Sequence, residues 1–199
     1  MAETVEGAFD APQSWPVHEV EDVWSGPAPF SVRRDVLSRP AEPDERFSRL
    51  VLQHPGAVVI LAVDDQERVL VLHQYRHPVQ RRLVELPAGL LDVEGEDPQV
   101  AAARELLEEA LIVAERWTPL MATYSSPGLS SETIHYFLAR GLTAAPDRGG
   151  DFRLEHEEAD MTLGWLAFDD LFEAVRSGAV QDGPLAQALL AYRCLVDER

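Results

Sequence analysis

Cysteine occurs once in this chain of 199 residues, at Cys194. One thiol excludes an internal disulfide framework and fits a reducing compartment. Cys194 falls in a helical pattern and is read as a packing residue. Long apolar runs are missing too: none approaches the roughly 20 residues of a membrane-spanning helix. The first residues, MAETVEGAFDAPQSWPVHE, lack the basic-then-apolar layout of a secretory signal. These absences lead to the expectation of a cytoplasmic protein with no membrane attachment. Positive charge is also scarce, with 17 Lys and Arg against 35 Asp and Glu and a formal net charge of −18. Nucleic acid and anionic membranes require a basic surface, so both are excluded as non-specific partners. A phosphate-bearing ligand would meet repulsion that metal ions and a few arginines must overcome locally.

What is present, 46% apolar and 26% charged residues, suits one well-buried core with a small appended unit. Residues 1–16 read as a flexible acidic tail interrupted by Pro12 and Pro16. Alternation over His18–Trp24 and Phe30–Leu37, a turn at Arg39–Pro43 and a third strand at Phe47–Leu52 make residues 17–54 a small β subdomain. Three short strands bury little by themselves, so this unit should pack on the remainder or on a second copy. Residues 55–199 read as the main domain. Strands are predicted over Val58–Val63, Val69–Tyr75, Leu83–Leu86, Trp117–Thr123, Ile134–Ala139 and Met161–Phe168. Helices are predicted from Asp97, over Asp170–Ser177 and over Pro184–Val196, with a turn-rich acidic stretch at Thr143–Asp160. The class is α/β, a mixed sheet sandwiched between helices.

The most informative stretch is Glu85–Ile112. Asp97 followed by Pro98 is an N-cap with a first-turn proline, and the helix it opens runs through Leu111. At 3.6 residues per turn, Val100, Ala103, Leu106, Leu107, Ala110 and Leu111 fall on one face, read as the buried one. Glu105, Glu108 and Glu109 share an arc on the other, beyond Ala101 and Ala102. Like charges at this spacing each cost about 0.2–0.5 kcal/mol, and the helix dipole disfavours negative charge in this half. A divalent cation reverses both penalties, and hard oxygen ligands on one rigid face suit magnesium or manganese.

Gly89, Glu96, Arg104, Glu105, Glu108 and Glu109 together resemble the Nudix hydrolase signature, G-x5-E-x7-R-E-U-x-E-E-x-G-U with U apolar. Spacing matches from Glu96 to Ile112. Six residues rather than five separate Gly89 from Glu96, and Leu111 replaces the last glycine, so the usual left-handed helix end is lost or strained. Ser126-Pro127-Gly128, with Pro127 fifteen residues after Ile112, together with Gln74-Tyr75-Arg76 and the run Leu83–Gly89, resembles the ADP-ribose pyrophosphatase branch.

The resemblance implies a Nudix-type α/β/α sandwich and Mg2+- or Mn2+-dependent hydrolysis of ADP-ribose to AMP and ribose 5-phosphate. It also implies a homodimer whose N-terminal strands are swapped across the two-fold axis. It assigns Glu105, Glu108, Glu109 and the Ala88 carbonyl to the metal, and Arg104 with Glu96 to a structural ion pair. Glu157 or Glu158 is the base or further ligand. Arg76 and Arg49 are assigned to phosphate, Glu85 to the substrate or the metal shell, and Glu132, with Gly128 in the same downstream stretch, to the terminal ribose. Trp24 or Phe30 could stack the adenine. Two alternatives stand: another nucleoside diphosphate sugar or NADH as substrate, and a ligand-sensing domain without catalysis.

Overall fold

The computed structural model describes residues 9–147 and 160–197. The chain divides into two compact units, Met1–Gln53 and His54–Arg199.

The first unit is an antiparallel sheet in the order β1 (Val17–Ser25), β2 (Ser31–Arg39), β3 (Glu42–Gln53). β3 begins before the predicted Phe47, because the turn closes over Pro40-Ala41 alone and sets Arg39 opposite Glu42. Among its described residues the buried side chains are Asp35 and Ser38, both polar. Val17, Val20, Val23, Trp24 and Leu50 are exposed. The sheet therefore has no apolar core of its own, as its size predicts.

The second unit contains β4 (Ala57–Ala62), β5 (Arg68–Arg76), β6 (Arg81–Glu85), β7 (Ala88–Leu90), β8 (Ile112–Tyr124), β9 (Thr133–Ala144) and β10 (Thr162–Ala167). Its helices are α1 (Pro98–Ala110), α2 (Phe168–Arg176) and α3 (Gly183–Asp197). One sheet has the order β7-β4-β9-β8 and the other β10-β5-β6. β4 and β9 run parallel and the other pairs antiparallel, which makes the first sheet mixed. The three-residue β7 follows the predicted Leu83–Leu86 strand, where the sequence pattern assigns no strand.

β4 explains the sandwich. Alternate side chains of a strand face opposite ways. Val59 and Leu61 enter one cluster with Phe168 and Leu171 of α2 and Leu185, Ala188 and Leu189 of α3. Val58, Ile60 and Ala62 enter another with Ala101, Ala102, Leu106 and Ala110 of α1. Ile60 and Leu61, both fully buried, each contribute about 1.5–3 kcal/mol of apolar transfer. A strand covered on both faces reads as a continuous apolar run, which is how it looks in the sequence.

α1 starts as expected: the Asp97 carboxylate accepts the Gln99 N–H at 2.8 Å and Pro98 opens the first turn. Its buried face is not the one the periodicity suggests. Val100 and Ala103 are exposed, while Ala101, Ala102, Leu106, Glu109 and Ala110 are buried. The small side chains of Ala101 and Ala102 let the helix lie close to the sheet, and that rotation carries Glu109 inward.

Leu111 closes the helix in the left-handed region, φ 55° and ψ 39°, with its N–H donated to the carbonyls of Leu106 and Leu107. The helix end expected of a glycine is therefore kept and strained rather than lost. An L-residue in this conformation costs about 1–2 kcal/mol. Leu111→Gly should raise stability by about 0.5–1 kcal/mol, after allowing for lost side-chain contact and a more flexible unfolded chain. Thermal denaturation checks this. A lower melting temperature than the parent would contradict it.

Candidate active site

Of the predicted residues, Ala88, Gly89, Glu105 and Glu109 meet where the last two turns of α1 face β7. The Ala88 N–H donates to Glu109 Oε2 at 3.1 Å, so the buried Glu109 is tied to the strand. Glu105 lies against the neighbouring residue so closely that a Cβ on Gly89 would sit 2.0 Å from its carboxyl carbon. A side chain at this position would push the Glu105 carboxylate away. Both carboxylates are thus gathered beside the Ala88 backbone.

Arg104 lies among the other acids. Its Nη1 donates to Glu105 Oε1 at 2.7 Å and to Glu108 Oε2 at 3.1 Å. Nη2 and Nε reach the two oxygens of Glu96 at 3.1 and 3.3 Å. The Glu96 bond holds the Arg104 pKa above its ordinary value, with burial opposing and the charges of Glu105 and Glu108 assisting. Glu96 anchors the guanidinium from the loop before α1. That loop absorbs the inserted residue in a turn, with the Glu96 N–H on the Val93 carbonyl and Gly95 at φ 76°.

Burial raises the pKa of Glu105 to about 7, Arg104 pulls it down, and Glu108 and Asp92 push it further up. Behind this cluster Arg76 holds Glu85 in a two-pronged pair, Nε to Oε1 at 2.9 Å and Nη2 to Oε2 at 2.7 Å. The Glu85 bond raises the Arg76 pKa against the effect of burial, and the charges of Asp182 and Glu109 add to it. Asp182 accepts the Leu185 N–H at 2.8 Å at the start of α3. Burial lifts its carboxyl to about 6, with Glu85 adding and Arg76 and the Leu185 bond opposing.

Glu132 occupies the β8–β9 loop. Its backbone is fixed by a bond from its N–H to Ser130 Oγ (3.1 Å) and by the Ser125 N–H on its carbonyl (3.2 Å). Gly128, in the same loop, is exposed, and a Cβ there would meet nothing within 4 Å. Arg49 belongs to β3 in the first unit, its guanidinium 4.7 Å from the Phe47 ring centroid and its Nη1 on the Ser48 carbonyl. The Trp24 and Phe30 rings lie 6.0 Å apart in that unit. Glu157 and Glu158 lie outside the described residues. Sequence reasoning missed Asp182 and His54, which lies 3.6 Å from Glu132. An Asp three residues before Leu185 is a recognisable capping signal; a lone histidine carries none.

Among the described residues no group of three or more His, Cys, Asp or Glu side chains converges closely enough to hold an ion as arranged. The donor set nevertheless suits a hard divalent cation. One positive atom, Arg104 Nη1, already sits between oxygens of Glu105 and Glu108. The carboxylates of Glu85, Glu96, Glu105, Glu108, Glu109 and Asp182 share this neighbourhood with two guanidiniums, Arg76 and Arg104.

A family model described as the NUDIX domain matches residues 52–189. The chain is 41% identical over 162 residues to an ADP-ribose pyrophosphatase of Mycobacterium tuberculosis, covering 81% of this chain and 75% of that one. It is 36% identical over 141 residues to an ADP-ribose pyrophosphatase of Bacillus subtilis, covering 71% and 74%. A solved structure described as an ADP compounds hydrolase shares the fold at a TM-score of 0.77 and 19% identity, covering 95% of this chain and 97% of that one.

The raised Glu105 value fixes a pH dependence. The unfolded carboxyl ionises near 4.5 and the folded one near 7. Between these values rising pH favours the unfolded chain through this group, and the loss is complete above about 7. Glu105→Gln, measured in chelator, should therefore gain about 1–3 kcal/mol over the parent at pH 8 and lose that advantage toward pH 4.5. Chemical denaturation at the two pH values checks it. A parent more stable than the variant at pH 8 would contradict it.

Proposed function

This chain belongs to the NUDIX family, and from that premise we propose that it hydrolyses the pyrophosphate of ADP-ribose to AMP and ribose 5-phosphate with the aid of Mg2+ or Mn2+. The observation that carries the chemistry is the gathering of Glu105 and Glu109 beside the Ala88–Gly89 backbone, with Glu108 joined to Glu105 through Arg104. The two related ADP-ribose pyrophosphatases support the substrate.

Water adds to one phosphorus, the P–O–P bridge breaks, the bridging oxygen leaves with the departing phosphate, and the water's proton passes to a base. A divalent cation supplies neutralisation of the phosphate oxygens and a more acidic water. Glu105 and Glu109 would hold it directly, with Glu108 and the Ala88 carbonyl completing the oxygen set. Arg104, anchored by Glu96, then offsets the charge left over on the helix. Glu157 or Glu158 serves as the base or a further ligand. Arg76, kept extended by the buried Glu85, takes a phosphate in the forked geometry its guanidinium favours, and Arg49 supplies a second contact. Glu132 takes the hydroxyls of the terminal ribose, and Gly128 lets the loop backbone approach it; neither packing nor backbone angle requires a glycine there.

We assign the assembly to a homodimer formed through the N-terminal strands. Support comes from the exposed Val17, Val20, Val23, Trp24 and Leu50 on a sheet with no apolar core. Among the described residues no helix is long and apolar enough to cross a membrane, and the reading places the enzyme in the cytoplasm.

Glu109→Gln keeps an oxygen that can accept the Ala88 N–H, so it should fold normally. It should lower AMP release by about 100-fold or more. Unchanged turnover at saturating magnesium would refute the assignment. The parent should sediment at twice its chain mass and Val20→Glu as a monomer; a monomeric parent would contradict the dimer.

A further inference from the structure

We infer that His54 is the positioning residue for Glu132, setting the carboxylate that receives the terminal ribose. This inference rests on the ribose role proposed above for Glu132.

The geometry begins with the ring. His54 Nδ1 accepts the Gly56 N–H at 3.2 Å. A nitrogen that accepts carries no proton, so the neutral ring bears its proton on Nε2. Nε2 faces Glu132 Oε1 at 3.6 Å, with both side chains largely buried, 12% and 23% exposed. The contact is longer than a hydrogen bond. A 0.5 Å closure on a bound ligand would make it a hydrogen bond to a carboxylate, which is among the stronger kinds.

The surrounding backbone holds His54 in place. Its own N–H donates to Ser131 Oγ at 3.0 Å, so His54 grips the residue next to Glu132 as well. Gly56, at φ 104°, packs where a Cβ would lie 3.1 Å from the Thr133 carbonyl, on the other side of Glu132 in the chain. The Gly56 carbonyl accepts the Leu91 N–H at 3.1 Å, just beyond β7. The turn His54-Pro55-Gly56 therefore links the strand that bears the metal-binding backbone to the loop that bears Glu132. Its imidazole is the group aimed at the carboxylate.

Substitutions at this one ring separate positioning from plain structure. Asparagine can imitate Nδ1 and keep the Gly56 contact while losing the one to Glu132. Glutamine can imitate Nε2 and keep the Glu132 contact while losing the one to Gly56. His54→Asn should raise KM for ADP-ribose about tenfold with kcat within about twofold. His54→Gln should stay close to the parent. The reverse ranking, a benign Asn and a damaging Gln, would mean that His54 serves only the Gly56 turn and would overturn the inference.

Glu132→Gln separates this inference from the reading it rests on. A parental KM in that variant refutes the ribose role itself. A raised KM there with a parental KM in His54→Asn refutes the positioning role alone. The intact protein gives a readout that needs no folded variant at His54. Titration with ribose 5-phosphate should shift the His54 ring proton resonances in the parent and leave them unmoved in Glu132→Gln. Unmoved resonances in the parent would also overturn the inference.

Discussion

Negative charge crowded at the seam between α1 and β7 is the constraint that the His54–Arg199 unit is built to bear. Glu105, Glu108 and Glu109 would repel one another on any isolated helix. At about 4 Å and an intermediate dielectric, like charges oppose each other by a few kcal/mol. Three devices hold them. The Ala88 N–H takes Glu109, the guanidinium of Arg104 bridges Glu105 and Glu108, and Glu96 fixes Arg104 from the loop. What these devices leave unbalanced shows in the Glu105 carboxyl, held near 7 by burial even with Arg104 beside it. The folded chain keeps a destabilised site because the surrounding core is stable enough to carry it.

The core does so through β4. Its two faces join two separate apolar clusters, one under α2 and α3 and one under α1. β7 pairs with β4, and the Pro87 carbonyl accepts the Ile60 N–H at 2.8 Å. The backbone that meets the carboxylates is therefore bonded to the most deeply buried strand. Charge placed on a rigid element of this kind stays where it is put. Arginine does the remaining balancing: all 17 Lys-or-Arg positions of the chain are Arg. Forked guanidiniums grip Glu85 through Arg76 and Glu67 through Arg140, each through two nitrogens.

Much of this was legible in the residues. Asp97-Pro98 marks the helix start without ambiguity, and the run Val58–Val63 announces a strand buried on both faces. Helical spacing brings Glu105, Glu108 and Glu109 onto one arc, and the resemblance to the Nudix signature adds Glu96 and Arg104. The rotation of α1 was not legible, because periodicity assumes that apolar residues face inward. Here Val100 lies outside and Glu109 inside, since Ala101 and Ala102 permit close packing and the Ala88 N–H satisfies the buried acid. Leu111 shows that a left-handed helix end can be imposed by the hydrogen bonds around it when glycine is missing. His54 stayed hidden because its meaning depends on a partner 78 positions away, Glu132, which no local pattern connects to it. The long β8 and β9 were underestimated for a related reason: each gains its outer residues only from the other.

Anomalous diffraction from crystals soaked in manganese tests the central claim most directly. The account predicts a manganese peak coordinated by Glu105, Glu109 and the Ala88 carbonyl, with Arg104 withdrawn from Glu105. A soaked crystal with no peak there, and with Arg104 still bridging Glu105 and Glu108, would contradict it.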